Sequence, residues 1–318
     1  MHPAQQPRDF DRQRCDLSTE SRRSPRFVPG CAGFLLIVLT AFTTALSAQT
    51  KPQRIVSTAP SITETLFSLG LGDKVVGVSQ FCNYPPEVKK LPRVGSYIRP
   101  DPEAIARLAP DLVVLQRESS DLTERLNALH IVIVQVPHAT LEDIYTEIQL
   151  IGNAAGVPDR SAALITQIKS SLNAIQTKAK TMPSPRVLVV VDRQQGALNN
   201  LIAVGPNNYV NQVLEIAGGA NVLAKPGLPQ YPRISLETVL RENPDVIIDI
   251  SGTQETEEAR RASRSATLAL WARYRDLAAV KSGHVYAGTT DSLVVPGPRT
   301  PIATERLFDF IHGIGGSD

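Results

Sequence analysis

Cysteine is scarce in this chain of 318 residues: Cys15, Cys31 and Cys82 are too few for a disulfide framework. Excess charge of either sign is also missing. With 33 basic and 31 acidic side chains the net charge is +2, which excludes a strongly basic nucleic-acid binder and a highly charged disordered chain. No Gly-x-Ser-x-Gly turn, Cys-x-x-Cys pair, His-Glu-x-x-His run or phosphate-binding loop occurs. Gly70-Leu71-Gly72 lacks the third glycine of a dinucleotide fingerprint, because position 75 is Val. His130, His138, His284 and His312 are scattered, without the spacing of a zinc site. Cys82 stands alone and reads as a free, partly buried thiol. These absences point away from an enzyme and call for no resident metal or cofactor.

What is present begins with a leader, residues 1–48. Its six arginines and four acids account for the whole excess of basic charge, and it holds two of the three cysteines. The remaining chain is electrically balanced. Arg22, Arg23 and Arg26 precede an apolar run from Ala32 to Leu46, followed by small residues at 47 and 48. A run of about 15 residues is short for a spanning helix, which needs about 20, and fits a cleavable export signal. The expected location is therefore periplasmic.

Beyond the leader, apolar runs alternate with helical patterns. Arg54–Ser57, Val75–Val78, Asp111–Leu115 and Ile131–Val134 read as short buried strands, and a helix is expected over Ile62–Leu69 with Ser61 as cap and Glu64 three residues on. After Pro158 the pattern changes. Leu164, Ile168, Leu172, Ile175 and Ala179 form one apolar stripe at helical spacing, ended by Pro183 and Pro185. Strands then return at Val187–Val191 and Val246–Ile250, with a helix over Asn211–Ala217. The expected organisation is a first α/β lobe over 53–157, a linking helix over 158–182 and a second α/β lobe over 185–316, each lobe a Rossmann-like, mainly parallel sheet flanked by helices.

The lobes echo each other. Asp101-Pro-Glu103 is followed by Pro110-Asp111 and a strand; Ser235-Leu-Glu237 is followed by Pro244-Asp245 and a strand. Each Glu is expected in the first turn of a helix, where a carboxylate complements the helix dipole.

Arg54-Ile-Val-Ser-Thr-Ala-Pro60-Ser-Ile-Thr-Glu64, Tyr84-Pro-Pro86, Leu91-Pro-Arg-Val-Gly95 and the Pro110-Asp111 strand follow one another, and Asn211-Gln-Val-Leu-Glu-Ile-Ala-Gly-Gly219 and Ile234-Ser-Leu-Glu237 appear later. Over about residues 53–314 this order resembles the periplasmic substrate-binding proteins for cobalamin and iron chelates, whose two α/β lobes are joined by a rigid helix. The resemblance implies capture of a bulky metal chelate between the lobes and delivery to an inner-membrane ABC permease dimer with its ATPase. It implies a monomer that binds no nucleic acid. Glu103 and Glu237 fall where the family pairs one glutamate per lobe with permease arginines.

Ligand contacts are expected from Pro60, Ser61, Phe81, Tyr97, Gln116, Arg193, Ile202, Tyr231 and Asp291. Phe81, Tyr97 and Tyr231 match aromatic contacts of the cobalamin receptor, whereas Gln116 and Ser292 stand where that receptor has tryptophans. A corrinoid is the first choice of cargo, followed by a ferric siderophore, for which Arg193 would matter, and then haem. Two other readings share this plan: an exported chelatase- or hydrolase-like enzyme acting in the cleft, and a sensor subunit.

Overall fold

A computed structural model describes residues 51–117, 120–252, 257–288 and 291–314, excluding the side chains of 120, 121, 257 and 291. The leader lies outside the described residues.

The first lobe runs β1 (Ile55–Ser57), α1 (Pro60–Ser68), β2 (Val75–Val78), α2 (Pro102–Arg107), β3 (Leu112–Gln116), α3 (Ser120–Ala128), β4 (Ile133–Val136) and α4 (Leu141–Ala154). Its four strands are all parallel, in the order β2-β1-β3-β4. Helix α5 (Pro158–Ala179) follows. The second lobe comprises β5 (Arg186–Asp192), β6 (Leu201–Ala203), α6 (Tyr209–Ile216), β7 (Ala220–Asn221), β8 (Arg233–Ile234), α7 (Leu236–Glu242), β9 (Val246–Asp249), α8 (Glu257–Trp271), α9 (Ala278–Lys281), β10 (Val285–Ala287), α10 (Asp291–Val294) and α11 (Thr300–His312). There β7, β5, β9 and β10 are parallel and repeat the first lobe's strand order, while β6 and β8 add an antiparallel edge.

The echo in sequence is an echo in structure. The Asp101 side chain accepts the N–H groups of Glu103 and Ala104 at the start of α2, and Ser235 accepts the N–H of Thr238 at the start of α7. Both helices end in a left-handed residue ahead of a proline: Ala109 and Asn243 each have φ of 43°. In both lobes the aspartate after that proline accepts backbone N–H groups at the start of the first strand, Asp111 from Gln53 and Arg54 just ahead of β1, and Asp245 from Arg186 at the head of β5.

Alternation along the strands sorts the interior. Ile55, Leu112, Val114, Val187, Val189, Val246 and Ile248 belong to one central cluster. Val56, Val113 and Leu115 face a separate cluster in the first lobe, and Leu188, Val190 and Ile247 another in the second. The central cluster runs without a break through α1, α4, α5, α6 and α11, so the two lobes share one core. The α5 stripe lies in it as expected: Ile168, Leu172, Ile175 and Ala179 are buried and Leu164 packs alongside.

Two local readings are corrected. Ser61 is not the cap of α1. Ala59 holds that position without a side-chain bond, Pro60 supplies the first turn, and Ser61 points inward to donate to Glu147 on α4. Strand β4 starts two residues later than the apolar run suggests. His130 takes a left-handed conformation (φ 58°) and the N–H of Ile131 is spent on the carbonyl of Leu126, closing α3.

Helices α4 and α5 meet where Gly152 faces Ser161. A Cβ on Gly152 would overlap Cβ and Oγ of Ser161, and Ser161 is buried. Gly152→Ala is therefore expected to cost about 1–3 kcal/mol through overpacking despite its better helix propensity, read as a lower thermal midpoint.

Glu147 generates a second expectation. It is buried between α1 and α4, accepting from Ser61 Oγ and Thr65 Oγ1, both at 3.0 Å. Burial pushes its carboxyl from 4.5 up to about 8, with the nearby Glu64 adding repulsion against the two hydroxyl donors. The folded state thus holds a proton that the unfolded chain has released. This contribution to stability is fully present below the unfolded value and is lost as pH rises through the folded one, at up to about 1.4 kcal/mol per pH unit. Glu147→Gln should flatten the fall in unfolding free energy between about pH 5 and pH 8, as measured by urea titration at both pH values.

Candidate functional site

In α/β folds of this kind ligands sit beyond the C-terminal ends of the parallel strands. In the first lobe those ends carry Pro60 and Ser61 after β1, Phe81 after β2 and Gln116 at the end of β3. Pro60 and Gln116 are half-buried, Ser61 is buried and committed to Glu147, and Phe81 is 47% exposed. Phe81 meets Tyr97 edge to face, with ring centroids 5.4 Å apart and Tyr97 itself 43% exposed. Two expected contacts are thereby brought into one apolar surface. Arg93 fixes the Phe81 segment, its Nη1 donating to the carbonyls of Ser79 (3.0 Å) and Cys82 (2.9 Å). The Tyr97 loop turns at Gly95, whose φ of +92° and close approach to Arg99 O and Asp101 N exclude a side chain.

In the second lobe Tyr231 is 45% exposed, and burial of the remainder raises its phenol pKa. Its loop is pinned rather than free. Gly205 N–H donates to Gln230 O (2.8 Å), Asn208 Nδ2 donates to the same carbonyl (2.7 Å), and Gln230 Nε2 donates to Asn207 O (2.7 Å). Ile202 is half-buried in β6. Asp291 opens α10, and its side chain lies outside the described residues; Ser292 beside it is buried.

Arg193 stands at the end of β5, but its charge is not offered to a cleft. Its side chain is 7% exposed and its Nε lies 2.9 Å from Oδ2 of Asp249, which is wholly buried. The reason is local: β5 and β9 are adjacent and parallel, so the residue after one strand reaches the last residue of the other.

Glu103 and Glu237 are both exposed, each at the second residue of its helix, so that one carboxylate per lobe projects from equivalent first turns. Cys82 is a buried free thiol whose pKa is raised by burial.

Sequence reasoning missed the contacts that hold the lobes to each other. Arg299, immediately before α11, donates Nε to Glu64 Oε2 at 2.9 Å and Nη2 to Glu64 Oε1, and its guanidinium lies 4.2 Å from the centre of the Tyr84 ring. Glu64 and Tyr84 belong to the first lobe and Arg299 to the second. Close by, the N–H of Tyr209 donates to Ala139 O (3.0 Å) and that of Leu141 to Gln212 Oε1 (2.7 Å). An acid among the hydroxyl-bearing first turns of α1 is the available signal for Glu64, but its partner is 235 residues away. Among the described residues, no three His, Cys, Asp or Glu side chains gather as a metal site would require.

Known proteins bear on this geometry. The chain is 30% identical over 270 residues to YvrC of Bacillus subtilis, an uncharacterized ABC transporter substrate-binding lipoprotein, covering 82% of this chain and 81% of the relative. Among solved structures, the periplasmic heme-binding protein RhuT from Roseiflexus sp. RS-1 superposes with a TM-score of 0.71 at 27% identity, covering 82% of this chain and 98% of RhuT. The periplasmic vitamin B12 binding protein BtuF of Vibrio cholerae does so with a TM-score of 0.68 at 27% identity, covering 82% and 97%. Residues 55–291 carry the pattern of the periplasmic binding proteins, and the chain belongs to that family.

Proposed function

We propose that this protein is the extracytoplasmic receptor subunit of an ABC importer and that its cargo is a corrinoid held between the two lobes. The observation that carries the cargo is the Phe81–Tyr97 pair, 5.4 Å between ring centroids and half exposed at the strand ends of the first lobe. Rings presented in this way cover the broad apolar faces of a macrocycle. The likeness to the vitamin B12 binding protein BtuF supports the same choice. Tyr231 and Ile202 face the cargo from the second lobe in this reading, with Pro60, Ser61, Gln116 and Asp291 along the strand ends. The protein acts as a monomer that binds and hands over its ligand without chemistry, after export and removal of the leader. Haem is the second reading, supported by the likeness to RhuT and by the phenols of Tyr97 and Tyr231 as candidate iron ligands.

Titration calorimetry decides between them. Cyanocobalamin should bind one to one with a Kd of about 1 μM or tighter, and Phe81→Ala with Tyr97→Ala should weaken it at least about tenfold. Haemin bound in place of cyanocobalamin would move the cargo to the second reading; binding of neither would defeat both.

Delivery rests in this reading on Glu103 and Glu237. Two carboxylates at matching positions suit a twofold permease carrying an arginine at each end, because a charge-assisted pair at both ends orients the loaded receptor. Glu103→Ala with Glu237→Ala should leave cyanocobalamin affinity within about twofold while abolishing uptake in cells that depend on this receptor; lost affinity would mean that the docking sites are misplaced.

A further inference from the structure

One fully buried carboxylate ties together the strand ends of the second lobe. Asp249, the last residue of β9, accepts from Arg193 Nε at 2.9 Å, Trp271 Nε1 at 2.8 Å, Ser251 Oγ at 2.5 Å and Ser251 N at 3.1 Å. Arg193, the first residue after β5, continues the network in two directions. Its Nη2 donates to Thr267 Oγ1 on α8 at 2.7 Å. Its Nη1 donates to the carbonyls of Gln194 (3.3 Å) and Ala197 (3.5 Å) in the turn that leads into β6 and Ile202. That turn closes on itself through Gln194 N to Asn199 O (3.0 Å) and reverses at Gly196, with φ of +74°.

A buried ion pair is a weak stabiliser, since desolvation offsets most of its attraction. Its effect here is geometric. One planar guanidinium with donors on three sides sets the relative positions of a carboxylate on β9, a hydroxyl on α8 and two carbonyls of the β5–β6 turn. Arg93 does similar work on the Phe81 segment of the first lobe through two carbonyls.

We propose that Asp249 and Arg193 are positioning residues for ligand capture: they hold the 193–200 turn and the Ser251 turn, the cleft side of the second lobe, in the ligand-accepting geometry without touching the ligand. This rests on reading the strand ends as the ligand site. Trp271, the sole tryptophan of the chain, donates to the same carboxylate and is a built-in reporter of the network.

The test compares wild type with Arg193→Lys, which keeps a cation beside Asp249 but cannot reach Thr267 and both carbonyls from one ammonium. A second variant, Arg193→Met with Asp249→Asn, removes both charges together and so leaves no unpaired buried ion. Four quantities are read: amide hydrogen exchange of 194–200 in the unliganded protein, Trp271 emission, and the association and dissociation rates of cyanocobalamin. In Arg193→Lys, exchange of the turn should rise about tenfold and emission should change. Dissociation should quicken about tenfold while association stays within about twofold, because a loosened site is felt mainly in the off-rate. The double variant should loosen the same turn. Unchanged exchange at 194–200 in both variants overturns the proposal. So does a loosened turn with unaltered dissociation, which would make the network merely structural. Absence of cyanocobalamin binding by wild type would count against the corrinoid reading instead, and the exchange and emission measurements would then decide whether the network holds the turn.

Discussion

The ion pair between Glu64 and Arg299 is where the two lobes become one body. Arg299 reaches from the second lobe into the first, meets Glu64 through two donors and lies over the face of Tyr84. The surroundings explain why it must be made well: the Glu64 side chain is 3% exposed, so an unpaired carboxylate there would face the full cost of desolvation. Removing one partner of such a pair costs about 3–5 kcal/mol, whereas the intact pair is close to neutral against an apolar replacement. Its contribution is therefore one of specificity. It fixes which part of α11's start meets which turn of α1, and the apolar side chains around it complete the shared core.

That shared core limits the motions open to the protein. A single helix linking two independent lobes could bend, but α5 packs along α4 on one side and α11 on the other, and its apolar stripe lies in the same cluster as both sheets. Opening the lobes widely would break into this shared cluster, and the loss grows with the apolar area exposed at roughly 25 cal/mol per Å². Small adjustments at the strand-end loops are far less costly. Ligand capture in such a frame depends on loops already held in place, as the pinned Tyr231 loop and the Arg93-fastened Phe81 segment are, and affinity gains from ordering that is done before the ligand arrives.

Much of this was legible in the sequence wherever the controlling interaction is local. The stripe on α5, the alternating strands and the first turns that hold Glu103 and Glu237 all depend on neighbours a few residues away, and all are found in the structure. The failures share a cause. Ser61 carries the chemistry of a cap, yet Glu147, 86 residues distant, takes its hydroxyl. Strand β4 starts later than its apolar run because Ile131, as apolar as a strand residue, spends its N–H on α3. Arg193 is expected among the ligand contacts, whereas its Nε meets a carboxylate on a strand that is adjacent in space and 56 residues away in sequence. Long-range polar pairing leaves no periodic trace, and every one of these residues would look the same exposed.

The fate of the arginines bears on the cargo. Arg193 and Arg299 are spent on carboxylates and Arg93 donates to two carbonyls, so these three guanidiniums serve the fold close to the strand ends. A ferric siderophore with net negative charge calls for a cation facing it, and Arg193, the residue expected to supply one, has its Nε on Asp249 and its remaining donors on Thr267 and the turn carbonyls. Freeing it would strand the Asp249 carboxylate in the core, at a cost that attraction to a half-solvated anion does not recover. Aromatic rings such as Phe81 and Tyr97 carry no such conflict: they recognise a large neutral face by area and edge contacts and ask nothing of the buried charges. Between these two modes of recognition, the commitment of Arg193 to Asp249 weighs against one that needs its charge.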